Sequence, residues 1–228
     1  MKRGLNMRKI LGFAFVSLDG VMQGPGGPTE DPTGGFKYSG WMPPHAEEAS
    51  RKKFVDLFSR PFDLLLGRRT YDIFAAFWPY YTDGPAKPMA ELFRRVRKYV
   101  LTHGEKPLTW QNSERVTTIE ALAPIKNGDG PDLLIQGSST LYPQLLAAGL
   151  IDQLNLITFP VVLGSGKRLF GEGTPGSMMR MVDHMVSPGG NIVATYEPIG
   201  AVKTGTFPGP EPSEAEIARR KAMADGTW

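Results

Sequence analysis

The stretch LLLGRRTY, residues 64–71, sets two arginines directly behind a glycine, where an apolar run ends and a helix-like segment begins. A strand-to-helix turn of this kind suits an anion, because first-turn N–H groups lack intrahelical partners and the helix dipole adds partial positive charge. Gly67 would let a ligand approach the backbone, Thr70 offers a hydroxyl, and Arg68 and Arg69 supply forked donors that match a phosphate. A capped helix with two solvated arginines would use the same residues. A second such turn lies in DLLIQGSSTLYPQLL, residues 132–146, where Gly137, Ser138, Ser139 and Thr140 follow an apolar strand and lead into a helix. Small residues with hydroxyls and free N–H groups suit a pyrophosphate, although a tight turn before a capped helix has the same composition. The G-x-G-x-x-G fingerprint and the P-loop pattern are both absent. Two such turns, one with an arginine pair, fit a ligand with well-separated phosphates. NADPH, with a pyrophosphate and a 2′-phosphate, is one.

Other chemistry is excluded by composition. The chain has no cysteine, which rules out disulfides, thiolate zinc sites and cysteine nucleophiles. Its three histidines (His45, His103, His184) lie far apart, without metal-ligand spacing. Net charge is +3, from 26 basic and 23 acidic residues, with no long Lys/Arg block and no interleaved aromatics, so no nucleic-acid partner is expected.

These turns need elements to position them. The strand-like runs are 10–18, 62–67, 98–102, 115–119, 132–137 and 152–164, followed by 179–187 and 191–198 around a Pro188-Gly189-Gly190 hairpin signal. Helix-like runs fall at 45–58, 70–77, 90–96, 119–125 and 139–149. Short apolar strands alternating with helices predict a three-layer α/β/α sandwich on a mixed, mostly parallel central sheet. Residues 23–44 are dense in Gly and Pro and read as a long loop, of the kind that forms lids or binding loops. The apolar stretch near the N-terminus is ended by Asp19, is too short to span a bilayer and shows no cleavage site. It reads as the first core strand behind a leader (1–7), in a cytoplasmic protein with no membrane partner. The expected organisation is one domain over 8–200 and a C-terminal tail, 201–228, carrying a short charged helix.

The set SLDG (17–20), LLLGRRTY (64–71), KYVLT (98–102), LLIQGSSTLYPQLLAAGLID (133–152) and FPVVLGSGKRLF (159–170) resembles the dihydrofolate reductase-like superfamily. The closer match is to the C-terminal reductase domain of the bacterial riboflavin-biosynthesis deaminase–reductase, over about residues 8–198. The resemblance implies a reductase of a small planar heterocycle with NADPH as hydride donor. It assigns Gly67, Arg68 and Thr70 to the 2′-phosphate turn, with Arg69 beside them and Thr102 assisting. It assigns Gly137, Ser138, Ser139, Thr140 and Leu141 to the pyrophosphate turn. It places Gly164, Lys167 and Arg168 near the substrate cleft, where the two cations attract a substrate phosphate or seal a loop. The proton donor is open: Glu47 and Glu48 sit roughly where dihydrofolate reductases carry their pterin-binding acid, and Asp19 is the other candidate. Trp41 is a candidate stacking partner for a planar ligand. The zinc motifs of the deaminase half are absent, so a lone reductase is implied. A dihydrofolate or pteridine reductase, or a non-catalytic nucleotide-binding module, are the alternatives. Relatives that dimerise through C-terminal strands, and an exposed closing hairpin, lead us to expect a homodimer.

Overall fold

The computed structural model describes residues 7–228; the expected leader falls almost wholly outside them. Among these residues eight strands form one sheet. They are β1 (Ile10–Ser17), β2 (Phe62–Gly67), β3 (Lys98–Leu101), β4 (Ser113–Val116), β5 (Asp132–Ile135), β6 (Gln153–Phe159), β7 (Met178–Val186) and β8 (Ile192–Gly200). Their order is β4-β3-β2-β5-β1-β6-β8-β7, and only β8 runs against the rest.

The central strands are apolar without alternation because both faces are covered. Leu64, Leu65, Leu66, Leu133, Leu134 and Ile135 are each at most 1% exposed, and such burial contributes about 1.5–3 kcal/mol per side chain. Alternate residues serve different layers. Leu64, Leu66 and Leu134 pack with Phe58 of α1 (Glu48–Phe58), Tyr71 of α2 (Arg68–Phe77) and Phe93 of α3 (Lys87–Arg95). Leu65, Leu133 and Ile135 pack instead with Leu122 of α4 (Leu122–Asn127) and Leu141, Tyr142 and Leu145 of α5 (Leu141–Ala147). The three-layer sandwich is therefore present. No helix among the described residues is long and apolar enough to cross a membrane.

β2 leads through α2 toward β3, while its neighbour β5 leads through α5 toward β6, on the opposite face. Connections that diverge from adjacent parallel strands leave a crevice at the strands' C-terminal ends, where open α/β sheets bind ligands.

Several boundaries differ from expectation. β6 stops at Phe159, because Pro160 has no N–H for the ladder. β4 lies two residues early, since Arg115 and Val116 pair with Val100 and Leu101 and leave the threonines beyond the sheet. α2 begins at Arg68, so Gly67 is its N-cap and Thr70 does not cap it. Beyond Gly200 the chain is exposed, and α6 (Glu214–Ala224) buries no residue.

Candidate active site

The turns after β2 and β5 touch. Gly67 N–H donates to Gly137 O at 3.1 Å, and the hydroxyls of Thr70 and Ser138 lie 3.1 Å apart. A Cβ on Gly67 would stand 2.5 Å from Ser138 Oγ, and one on Gly137 would stand 2.7 Å from Thr70 Oγ1. Gly137 has φ +119°, and the Gly137–Ser138 peptide is cis. No side chain caps α2, so its first-turn N–H groups face the crevice beyond β2. Gln136 Nε2, at the end of β5, is buried without a partner. An uncapped helix, a turn of small hydroxylated residues and an orphaned amide donor form a cradle that fits the phosphates of a dinucleotide. Leu141 stands apart from this cradle: its side chain is in the core, and its N–H is taken by Ser138 O. Thr140 is exposed and precedes α5.

The rim beside this cradle is basic. Arg68 lies over the Tyr71 ring, pairs with Asp72 at 2.9 Å and donates from Nη1 to Lys106 O at 2.7 Å. Arg69 is exposed and has no ion pair among the described residues. Thr102 is buried at the end of β3, where its hydroxyl accepts from Gly104 N–H. Arg115 of β4, which the sequence reading passed over, donates from Nη2 to Lys106 O at 2.8 Å. Arg68 and Arg115, from the ends of different strands, thus meet at Lys106 O, with Arg69 exposed beside Arg68 in the chain.

The other flank is built where β1 ends. Asp19 accepts from Ser17 Oγ at 2.7 Å and from the N–H groups of Leu163 (3.0 Å) and Gly164 (2.9 Å). Burial pushes this carboxyl up, but those hydrogen bonds outweigh it and hold the group below its ordinary 3.8. Asp19 is therefore an ionised clamp at neutral pH. Lys167 donates to Asp31 (2.6 Å) and Thr33 (2.7 Å), and its N–H donates to Gln23 Oε1. Of the two roles open to it, Lys167 fills the sealing one. The long loop is thereby fastened down over its own core, with Gln23 bonding the carbonyls of Asp31 and Thr33. Arg168 donates to Asp19 O at 2.9 Å and keeps 47% of its side chain exposed.

Trp41 is not free to stack on a ligand. It is 7% exposed, meets Phe159 edge-on at 5.6 Å, and donates its indole N–H to Gln23 O. Glu47 accepts from Gly189 N–H at 2.8 Å and from Asn191 Nδ2 at 3.3 Å, tying α1 to the β7–β8 turn. Glu48 is exposed in the first turn of α1. A separate concavity lined by Phe62, Arg97 and Glu114 lies at the opposite, N-terminal edge of the strands. It meets neither turn.

The RibD C-terminal domain family matches residues 8–193. The uncharacterized protein YyaP of Bacillus subtilis (strain 168) is 24% identical over 204 residues, covering 86% of this chain and 98% of that protein. A protein of Shewanella sp. PV-4, provisionally assigned to riboflavin biosynthesis, superposes with TM-score 0.61 at 22% identity, over 84% of this chain and 99% of its own. Dihydrofolate reductase of Enterococcus faecalis, complexed with NADP(H), gives 0.53 at 14%, over 83% of this chain and 96% of its own. The Thermotoga maritima diaminohydroxyphosphoribosylaminopyrimidine deaminase/5-amino-6-(5-phosphoribosylamino)uracil reductase gives 0.54 at 14%, over 85% of this chain and 57% of its own. Such distant likenesses establish the shared fold. The chain belongs to the RibD C-terminal domain family and has the dihydrofolate reductase-like fold.

Proposed function

We propose that the chain is an NADPH-dependent reductase of a small planar heterocycle, with 5-amino-6-(5-phosphoribosylamino)uracil reductase as the reference reaction. The contact between the Gly67–Thr70 and Gly137–Thr140 turns carries this reading, because it sets two turns of the kind that suit anions side by side at one switch point. Bound NADPH would supply the hydride. In this reading Arg68, Arg69 and Thr102, with the first turn of α2, hold the 2′-phosphate. Gln136 and residues 137–140 hold the pyrophosphate. Half-exposed Arg168 draws an anionic group of the substrate toward the end of β1. Asp19 and Glu47 act as clamps, one on the 163–164 backbone and one on the β7–β8 turn, and the substrate's proton comes from solvent.

The working unit is residues 8–200. We further propose a cytoplasmic homodimer paired through β7, the edge strand that leaves Met181 and Val182 51% and 44% exposed. A second reading, nucleotide binding without turnover, is favoured by the engagement of both Asp19 and Glu47. Titration with NADPH and NADH, followed by nicotinamide fluorescence, decides whether the cradle is real. Loss of reduced-nicotinamide absorbance across pyrimidine, pteridine and quinone substrates then separates the two readings. No response to millimolar NADPH would sink both.

A further inference from the structure

We infer that Arg115 is a positioning residue for coenzyme selectivity, holding the 103–107 segment against which Arg68 is aimed. The inference rests on the NADPH reading above and adds a residue to it. Arg115 lies on the outermost strand, opposite Val100, two strands away from β2. Its Nη2 donates to Glu105 O at 3.2 Å and to Lys106 O at 2.8 Å. Arg68 donates from Nη1 to the same Lys106 O at 2.7 Å, and its Nη2 reaches Pro107 O at 3.4 Å. One carbonyl therefore fixes two guanidinium groups. Among the described residues, the backbone of 103–107 has one further tie, from Gly104 N–H to Thr102 Oγ1 at 3.3 Å.

Two features favour a functional role over packing. Arg68, Arg115 and the Lys106 ammonium share one nearby counter-charge among the described residues, the Asp72 carboxylate, and a dianionic phosphate beside them would offset the remaining positive excess. Arg115 Nη1 is also buried without a partner, which costs free energy that an apolar side chain of the same length avoids. Without Arg115, Lys106 O is held by Arg68 alone, so the 103–107 backbone that steadies the outer side of the Arg68 fork is released while the Asp72 pair remains.

The test measures NADPH and NADH affinities of the full chain carrying Arg115→Met or Arg115→Lys, alone and with Arg68→Ala. Arg115→Met should weaken NADPH about 5- to 10-fold, the worth of roughly one net hydrogen bond or slightly more, and leave NADH within about twofold. Arg115→Lys retains the charge, but its shorter side chain leaves the ammonium short of the Nη2 position from which both carbonyls are held, so it should lose selectivity nearly as far. In the Arg68→Ala background neither change should alter the NADPH/NADH ratio further. A wild-type ratio in Arg115→Lys would show that bulk charge alone matters and would overturn the positioning role. Equal losses of both nucleotides would overturn it too. If the wild-type chain bound neither nucleotide, the functional reading itself would fall, a result distinct from either outcome.

Discussion

Gly67→Ala is the sharpest probe of the contact between the two turns. Gly67 has φ −76° and ψ 158°, a conformation alanine adopts freely, so the effect of the substitution is steric. The new methyl would lie 2.5 Å from Ser138 Oγ, 2.9 Å from Ser138 Cβ and 3.2 Å from Ser138 N. Relief needs the turns to separate by about 1 Å, and overpacking of this kind costs about 1–3 kcal/mol. The stiffer unfolded chain of alanine offsets only about 0.4–1 kcal/mol of that. The balance is a net loss of about 1–2 kcal/mol, or a fall of roughly 2–8 °C in melting temperature for a chain this long. NADPH affinity should fall at least about tenfold, because donors on both turns would leave a common ligand. Ser138→Gly on the same chain removes the two nearest obstacles and leaves the nitrogen at 3.2 Å, so it should restore most of the lost stability. Thermal unfolding and nicotinamide fluorescence on the four chains of the cycle measure the coupling directly. Wild-type melting and NADPH binding in Gly67→Ala, or no rescue by Ser138→Gly, would refute the packing described for the cradle.

Lys98 is fully buried, lies 4.1 Å from the Trp110 ring, and burial lowers its pKa to about 8 from 10.5. Below that value both folded and unfolded chains carry the proton. Between it and 10.5 only the unfolded chain does, so stability should climb by about 3 kcal/mol across that window; urea melts against pH should lose this climb in Lys98→Met. Asp19→Asn should cost about 1–3 kcal/mol at neutral pH by weakening the acceptor for Leu163 and Gly164 N–H. Because the Asp19 pKa is depressed, that gap should shrink as pH falls below 3.8. Glu47→Ala should speed hydrogen exchange at the Gly189 amide, and unchanged exchange would deny the clamp. Val182→Glu should convert the proposed dimer to a monomer in light scattering, whereas an unchanged dimer mass would place the interface elsewhere and a monomeric wild-type chain would refute the dimer.

Much of the frame was legible from local pattern. Residues 64–66 and 133–135 read as buried strands because each must satisfy packing on both faces, and that requirement leaves no polar residue within either run. Both glycine turns could be placed for the same reason, since each marks where such a run ends. What escaped depends on partners distant in the chain. Lys167 and Asp31 are 136 residues apart, and nothing in LGSGKRLF decides between the two roles open to its lysine. Trp41 is a stacking candidate on sequence, yet the loop folds its indole onto Phe159. Arg115 went unnoticed on an edge strand whose start was itself misplaced by two residues. The unpaired nitrogen of Gln136 has no sequence signature at all.

β5 lies between β1 and β2, pairing with both, although it follows them in the chain by more than a hundred and by about seventy residues respectively. A nascent chain that has not yet released residues 132–135 therefore holds β1 and β2 as two unjoined edges, with the future crevice open along its length. Insertion of that one strand closes the sheet and brings Gly137 against Gly67 in the same event. Contacts so far apart in sequence make such closure slow. On the proposed reading, a truncated product should bind no nucleotide, and added NADPH should stabilise the finished sheet as a unit.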